Sequence, residues 1–131
     1  MRMLWYVGLG AAAGGIARYL LAAFVQQRAG VDFPVGTLLI NITGSFLLGC
    51  IMRYALQTAE ISPELRAMLT TGFCGGYTTF STFSYETATL IEDGQLGRAG
   101  TYVVASVLLA LAGTFGGFAL AREVIALRGR V

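Results

Sequence analysis

The sequence predicts an all-α membrane protein with four transmembrane helices. Two observations point there. Charged residues make up only 12% of the 131-residue chain and hydrophobic ones 56%, with a mean hydropathy of +0.70; a water-facing domain carries about 25% charged residues. The apolar residues are also gathered into long runs, and a helix needs about 20 of them to cross the hydrocarbon core. Four runs qualify, placing helices at about 3–26, 34–56, 63–91 and 98–125. Short polar connections join them, so 1–131 is expected to form a single transmembrane domain.

The first run begins after Arg2 and is interrupted only by Arg18; no small-residue cleavage site follows a short apolar core, so it reads as a retained helix rather than a signal peptide. The second lies between Asp32 and Arg53, with Pro34 expected in its first turn, where a missing N–H costs nothing. The third opens on Ser62-Pro63-Glu64, an N-cap, a first-turn proline and a carboxylate near the positive helix end. Gly94 marks a turn after it, and the fourth lies between Arg98 and Arg122.

Composition narrows the chemistry. There is no histidine, which removes His-based metal sites and catalysis, and no enzyme activity is expected. Cys50 and Cys74 lie inside apolar runs and read as small buried hydrophobes. A net charge of +2 is too small to suggest a nucleic-acid partner. Glycine, 18 residues in all, recurs at Gly10/Gly14, Gly72/Gly76 and Gly113/Gly117, a spacing that lets helix backbones approach within a subunit or between subunits.

Polar groups inside a membrane need a structural or functional reason. Arg18 either snorkels to the nearer interface or attracts anions at the mouth of a pathway. Thr37, Asn41 and Ser45 share one helix face, as helix-binding glue or as a hydrogen-bonding stripe. Gly75-Gly76 followed by Tyr77-Thr78-Thr79 and further hydroxyl residues is poor helix material. It is either a continuous helix with a tight glycine contact or a discontinuous one, whose freed backbone groups form ion sites. Phe80 and Phe83, three apart, can offer positive ring edges to an anion or simply pack. Tyr102, Ser106 and Thr114 fall on one face of the fourth helix, with Ala110 between. Glu86 follows the hydroxyl run and is expected near an interface.

At these residues the chain resembles the Fluc or CrcB fluoride channel family. Gly14-Gly15-Ile16-Ala17-Arg18-Tyr19, the stretch from Gly36 through Asn41 to Phe46, and the stretch from Thr71 through Gly75 to Ser84 carry the resemblance. It implies a broken third helix and an antiparallel, dual-topology homodimer in the bacterial inner membrane that exports cytoplasmic fluoride passively and confers fluoride resistance. It implies a structural sodium ion at the dimer interface, held by backbone carbonyls of Gly75 and Thr78. It implies that Asn41, Phe80 and Phe83 line the fluoride pathway, with hydroxyls from Thr79, Ser81, Thr82, Tyr102, Ser106 and Thr114, and that Arg18 serves the vestibule. Fluoride, sodium, the lipid bilayer and a second copy of the chain are then the partners.

Two rivals remain. A small proton-coupled multidrug exporter has four spans but needs a carboxylate deep in its first helix, where this chain has Arg18. A non-transporting assembly subunit predicts the glycine packing but no broken helix with phenylalanine edges. The arginines also lean one way. Arg2, Arg53, Arg66, Arg122, Arg128 and Arg130 fall on the side of the termini, against Arg28 and Arg98 opposite, which favours cytoplasmic termini over two orientations.

Overall fold

The computed structural model describes residues 1–30 and 33–129; Asp32 and Arg130, used above to bound a span and to count charge, lie outside them. The described residues are helical apart from short connections. Helix α1 is Arg2–Ala29 and α2 is Val35–Gln57. Segment α3 covers 63–77, with a π-helical stretch Met68–Cys74 inside it. Helix α4 is Phe80–Glu92 and α5 is Leu96–Arg128. Helices α1, α2 and α5 are long and apolar enough to cross a membrane.

The local signals explain most ends. Ser62 Oγ accepts from the Leu65 N–H at 3.2 Å, with Pro63 in the first turn of α3. Gly94 turns the chain between α4 and α5 at φ +73°, which only glycine adopts freely. Pro34 departs from expectation. It stands at the cap position, outside the helical region at ψ 63°, and α2 begins one residue later.

Glycine decides how closely the helices approach. Helix α1 packs along α3, and a Cβ on Gly10 would overlap the Met68 carbonyl, while one on Gly14 would overlap the Phe73 carbonyl. The facing Gly72 would place its Cβ 2.8 Å from the Val7 carbonyl. The same holds on the other side of the molecule, where a Gly113 Cβ would meet the Ile42 carbonyl at 2.9 Å. These glycines therefore serve packing within one subunit.

Helices α2 and α5 run parallel, since Gly113 meets Ile42 and Gly117, one turn on, meets Phe46 and Cys50. A small cluster of Leu90, Ala99 and Tyr102, flanked by Phe33, Leu38 and Phe83, closes the α4–α5 end. Little else is fully buried. Trp5, Tyr19, Phe80 and Phe115 are among many large apolar side chains left exposed, as expected of a surface that lipid or another subunit covers.

Candidate functional site

The chain leaves the helical conformation at Thr78 and Thr79, not at the glycine pair. Gly75 keeps helical angles, φ −64° and ψ −38°, whereas Thr78 and Thr79 are extended. Asn41 on α2 is the cause. Its Nδ2 donates to the Thr79 carbonyl at 3.1 Å, and its Oδ1 accepts from the Thr79 N–H at 2.8 Å. The amide thus supplies the acceptor that the Thr79 N–H loses on leaving the helix and adds a donor to its carbonyl. Thr79 then caps α4, its Oγ1 accepting from the Thr82 N–H at 3.2 Å. Two turns of chemistry are set by this arrangement. In a continuous helix Thr79 N–H would serve the Gly75 carbonyl and Thr82 N–H the Thr78 carbonyl; both donors are engaged elsewhere.

Beside this clasp lies a cavity of about 300 Å³ lined by Asn41, Ser45, Thr78, Thr79, Phe80, Phe83, Ser106 and Ala110, among others. Asn41 has a second amide N–H beyond the one given to Thr79. The Ser106 hydroxyl is buried and has no hydrogen-bond partner among the described residues, a costly condition unless something else fills it. The Phe80 and Phe83 rings lie 5.5 Å apart and tilted, and Phe83 lies 5.2 Å from the Tyr102 ring. Phe80 is 79% exposed, so one wall of the cavity faces away from this subunit.

A second cavity, about 610 Å³, opens at the end where α2 begins and α4 ends. Glu86 dominates it. Its carboxylate accepts from Thr37 Oγ1 at 2.8 Å and from the Tyr102 hydroxyl at 2.6 Å. Gln26 and Arg98 line the same space, and Arg98 donates to Gln95 at 2.8 Å. Tyr19 lines it but Arg18, half-buried one residue earlier, is not among the lining residues.

The structure thus gathers Asn41, Thr79, Phe80, Phe83 and Ser106 at one cavity. Thr82 lines the other, with Tyr102 bonded to Glu86 at its inner end. Ser81 lies beside the Thr79 hydroxyl at 3.3 Å. Thr114 lines neither; its hydroxyl donates to the Ala110 carbonyl of its own helix at 3.1 Å. Glu86 as the acceptor of Thr37 and Tyr102 was not legible in the sequence, since those partners lie 49 and 16 positions away; the one available signal was a carboxylate following a hydroxyl run. Cys50 and Cys74 are free thiols.

Fold and site together define a multi-pass membrane protein with a hydrogen-bonding cleft beside an interrupted helix. The chain belongs to the family of CrcB-like proteins, described as Camphor Resistance (CrcB), whose model matches residues 5–118. It is 55% identical to a protein of Geobacter sulfurreducens named "Fluoride-specific ion channel FluC", covering 86% of this chain and 90% of that one. Proteins of the same name from Geobacter metallireducens and Rhizobium meliloti are 52% and 45% identical, over 89% and 95% of this chain and 94% and 100% of theirs.

Proposed function

We propose that this chain is a fluoride-selective channel of the bacterial inner membrane that lets cytoplasmic fluoride leave passively and so confers fluoride resistance. The observation that carries the reading is the near-full-length identity to relatives named fluoride-specific ion channels. Segments α3 and α4 together make the third membrane crossing, broken at Thr78–Thr79.

The cleft suits the ion. Fluoride is small and strongly hydrated, so a pathway must replace its water with donors. The free amide N–H of Asn41 and the unpartnered Ser106 hydroxyl supply them, and the Phe80 and Phe83 ring edges add weak positive potential. Thr79, Ser81, Thr82, Tyr102 and Thr114 extend the set of hydroxyls. All are neutral, which keeps binding weak enough for release. Arg18, half-buried in α1, raises anion concentration near the entrance.

Two oppositely oriented subunits form the working dimer. The exposure of Phe80 and the scarcity of buried side chains support a second copy against this face. The residues also fit a structural sodium ion, because the Gly75 and Thr78 carbonyls have lost their helical donors to Asn41 and Thr79. Unwound backbone carbonyls are the usual ligands for such ions. When bound there, the ion supplies a fixed positive charge that favours an anion nearby.

Ion release from liposomes holding the purified protein, with potassium and its ionophore balancing charge, tests the reading. Rapid fluoride release with negligible chloride release is expected. A folded dimer that releases no fluoride overturns it.

A further inference from the structure

Three consecutive residues at the interruption each rest on α2. The Tyr77 and Thr43 hydroxyls share a hydrogen bond at 2.8 Å. The N–H and carbonyl of Thr79 are held by Asn41. Between these two contacts Thr78 meets Gly44, which is buried. A Cβ on Gly44 would stand 2.3 Å from Thr78 Cγ2 and 3.0 Å from Tyr77 Cδ1, whereas non-bonded carbons keep about 3.5 Å or more. The space that Gly44 leaves is thus filled by the Thr78 methyl. The other tight glycines differ. Gly10, Gly14, Gly49, Gly113 and Gly117 would each strike a backbone carbonyl, so they set the distance between helices. Gly44 would strike side chains, at the two residues where α3 ends and the chain opens.

Thr78 has little freedom to yield. It is β-branched and stiff at χ1. Its hydroxyl and its N–H both donate to the Cys74 carbonyl, each at 2.9 Å. Turning the side chain away from a larger residue at position 44 breaks the hydroxyl bond. Keeping that bond moves the Thr78 backbone, and its carbonyl with it. Gly75 is exposed, and a Cβ there would meet nothing closer than the Thr70 carbonyl of its own segment at 3.9 Å. Of the two residues whose carbonyls suit a cation, Thr78 is therefore the one that α2 holds.

We propose that Gly44 is a positioning residue for the structural cation: by seating the Thr78 methyl it fixes where the Thr78 carbonyl lies, and so sets the affinity for sodium. The proposal rests on the reading of the Gly75 and Thr78 carbonyls as sodium ligands. Groups that orient a ligand without touching the metal commonly change affinity by roughly ten- to hundredfold when altered.

The test is the thermal midpoint of the purified protein in detergent across a sodium series, with choline replacing sodium at constant ionic strength. An ion that binds only the folded protein raises the midpoint with its concentration, so the sodium at which the rise begins reads the affinity. Gly44→Ala is expected to need roughly ten- to hundredfold more sodium than wild type for the same rise. Serine keeps the hydroxyl and carbonyl of threonine but lacks the methyl, so Gly44→Ala combined with Thr78→Ser is expected to return the onset toward wild type. Gly113→Ala, whose added carbon would meet the Ile42 carbonyl at 2.9 Å, is expected to lower the midpoint at every concentration without moving the onset. A wild-type onset in Gly44→Ala overturns the proposal. So does a double variant no better than Gly44→Ala, because the added carbon then acts through something other than the Thr78 methyl. An onset moved as far by Gly113→Ala overturns it too, since any loosening of the bundle then suffices. A wild-type midpoint indifferent to sodium overturns the sodium reading itself, and the proposal with it. Should Gly44→Ala not fold, the double variant decides: folded with a wild-type onset it supports the seat, and unfolded it overturns it.

Discussion

The contact between α1 and α3 and the seam between α2 and α5 are both built by close helix approach, yet they serve different ends. Along α1–α3 the contact is backbone against backbone. Gly10 and Gly14 face the carbonyls of Met68 and Phe73, and Gly76 faces that of Ala11. Along α2–α5 similar glycine contacts, Gly49 against Thr114, Gly113 against Ile42 and Gly117 against Phe46, hold the helices together, but the face beside them carries Thr37, Asn41, Ser45, Tyr102 and Ser106. One contact excludes everything, and the other leaves room and donors. In lipid, where no hydrophobic force drives helices together, tight small-residue packing is what association rests on. The first contact supplies rigidity; the second can then afford an imperfectly filled, hydrogen-bonding interior.

The comparison breaks most readily at the glycine contact. Gly14→Val puts branched carbons into the Phe73 carbonyl and forces the helices apart. Overpacking of this kind costs about 1–3 kcal/mol or more, and here the obstacle is backbone rather than a flexible side chain. Loss of monodisperse protein, or a large drop in thermal midpoint in detergent, is the expected outcome. A fully stable Gly14→Val protein would show the contact to be looser than described.

Asn41→Ala probes the polar seam without touching the glycines. It leaves the Thr79 N–H without its acceptor and takes one donor from the Thr79 carbonyl; an unsatisfied buried N–H costs about 1–3 kcal/mol. Fluoride efflux is expected to fall roughly a hundredfold while the dimer persists. Efflux within a few-fold of wild type would mean that water replaces the amide.

Tyr102→Phe is gentler. It keeps the ring contacts with Phe33 and Phe83 but removes the donor to Glu86. A bond to a carboxylate contributes about 1.5–3 kcal/mol, and efflux is expected to slow by roughly three- to tenfold, which the same liposome measurement would detect.

The smallest effect lies outside both contacts. Arg128 donates to Glu60 at 2.6 Å on the exposed loop after α2, and the Tyr54 hydroxyl donates to the same carboxylate oxygen. That hydroxyl first, and then Arg128, hold the Glu60 carboxyl below its ordinary value of 4.5. A lowered carboxylate pKa adds stability above the unfolded value and loses it as pH falls through the folded one. Thermal midpoints of wild type and Glu60→Gln should therefore differ slightly at neutral pH and converge in acid. Because the pair is exposed, the difference should also shrink with salt.

Sequence alone determined the membrane class, because long apolar runs with few charges have no other stable environment. It also fixed the Ser62 cap and the Gly94 turn, whose signals are local. It marked Asn41, Thr79, Phe80, Phe83 and Ser106 as residues of interest, and the fold brings these to one cavity. The interruption was legible only as a stretch, Gly75–Thr79; within it the glycine pair stays helical and the chain opens at Thr78–Thr79, because a side chain 38 positions earlier competes for the backbone of Thr79. The Glu86 acceptor and the seating of Thr78 on Gly44 were likewise invisible. Each depends on the register between separate helices, which is set by close approach at glycines and not by any spacing within one helix.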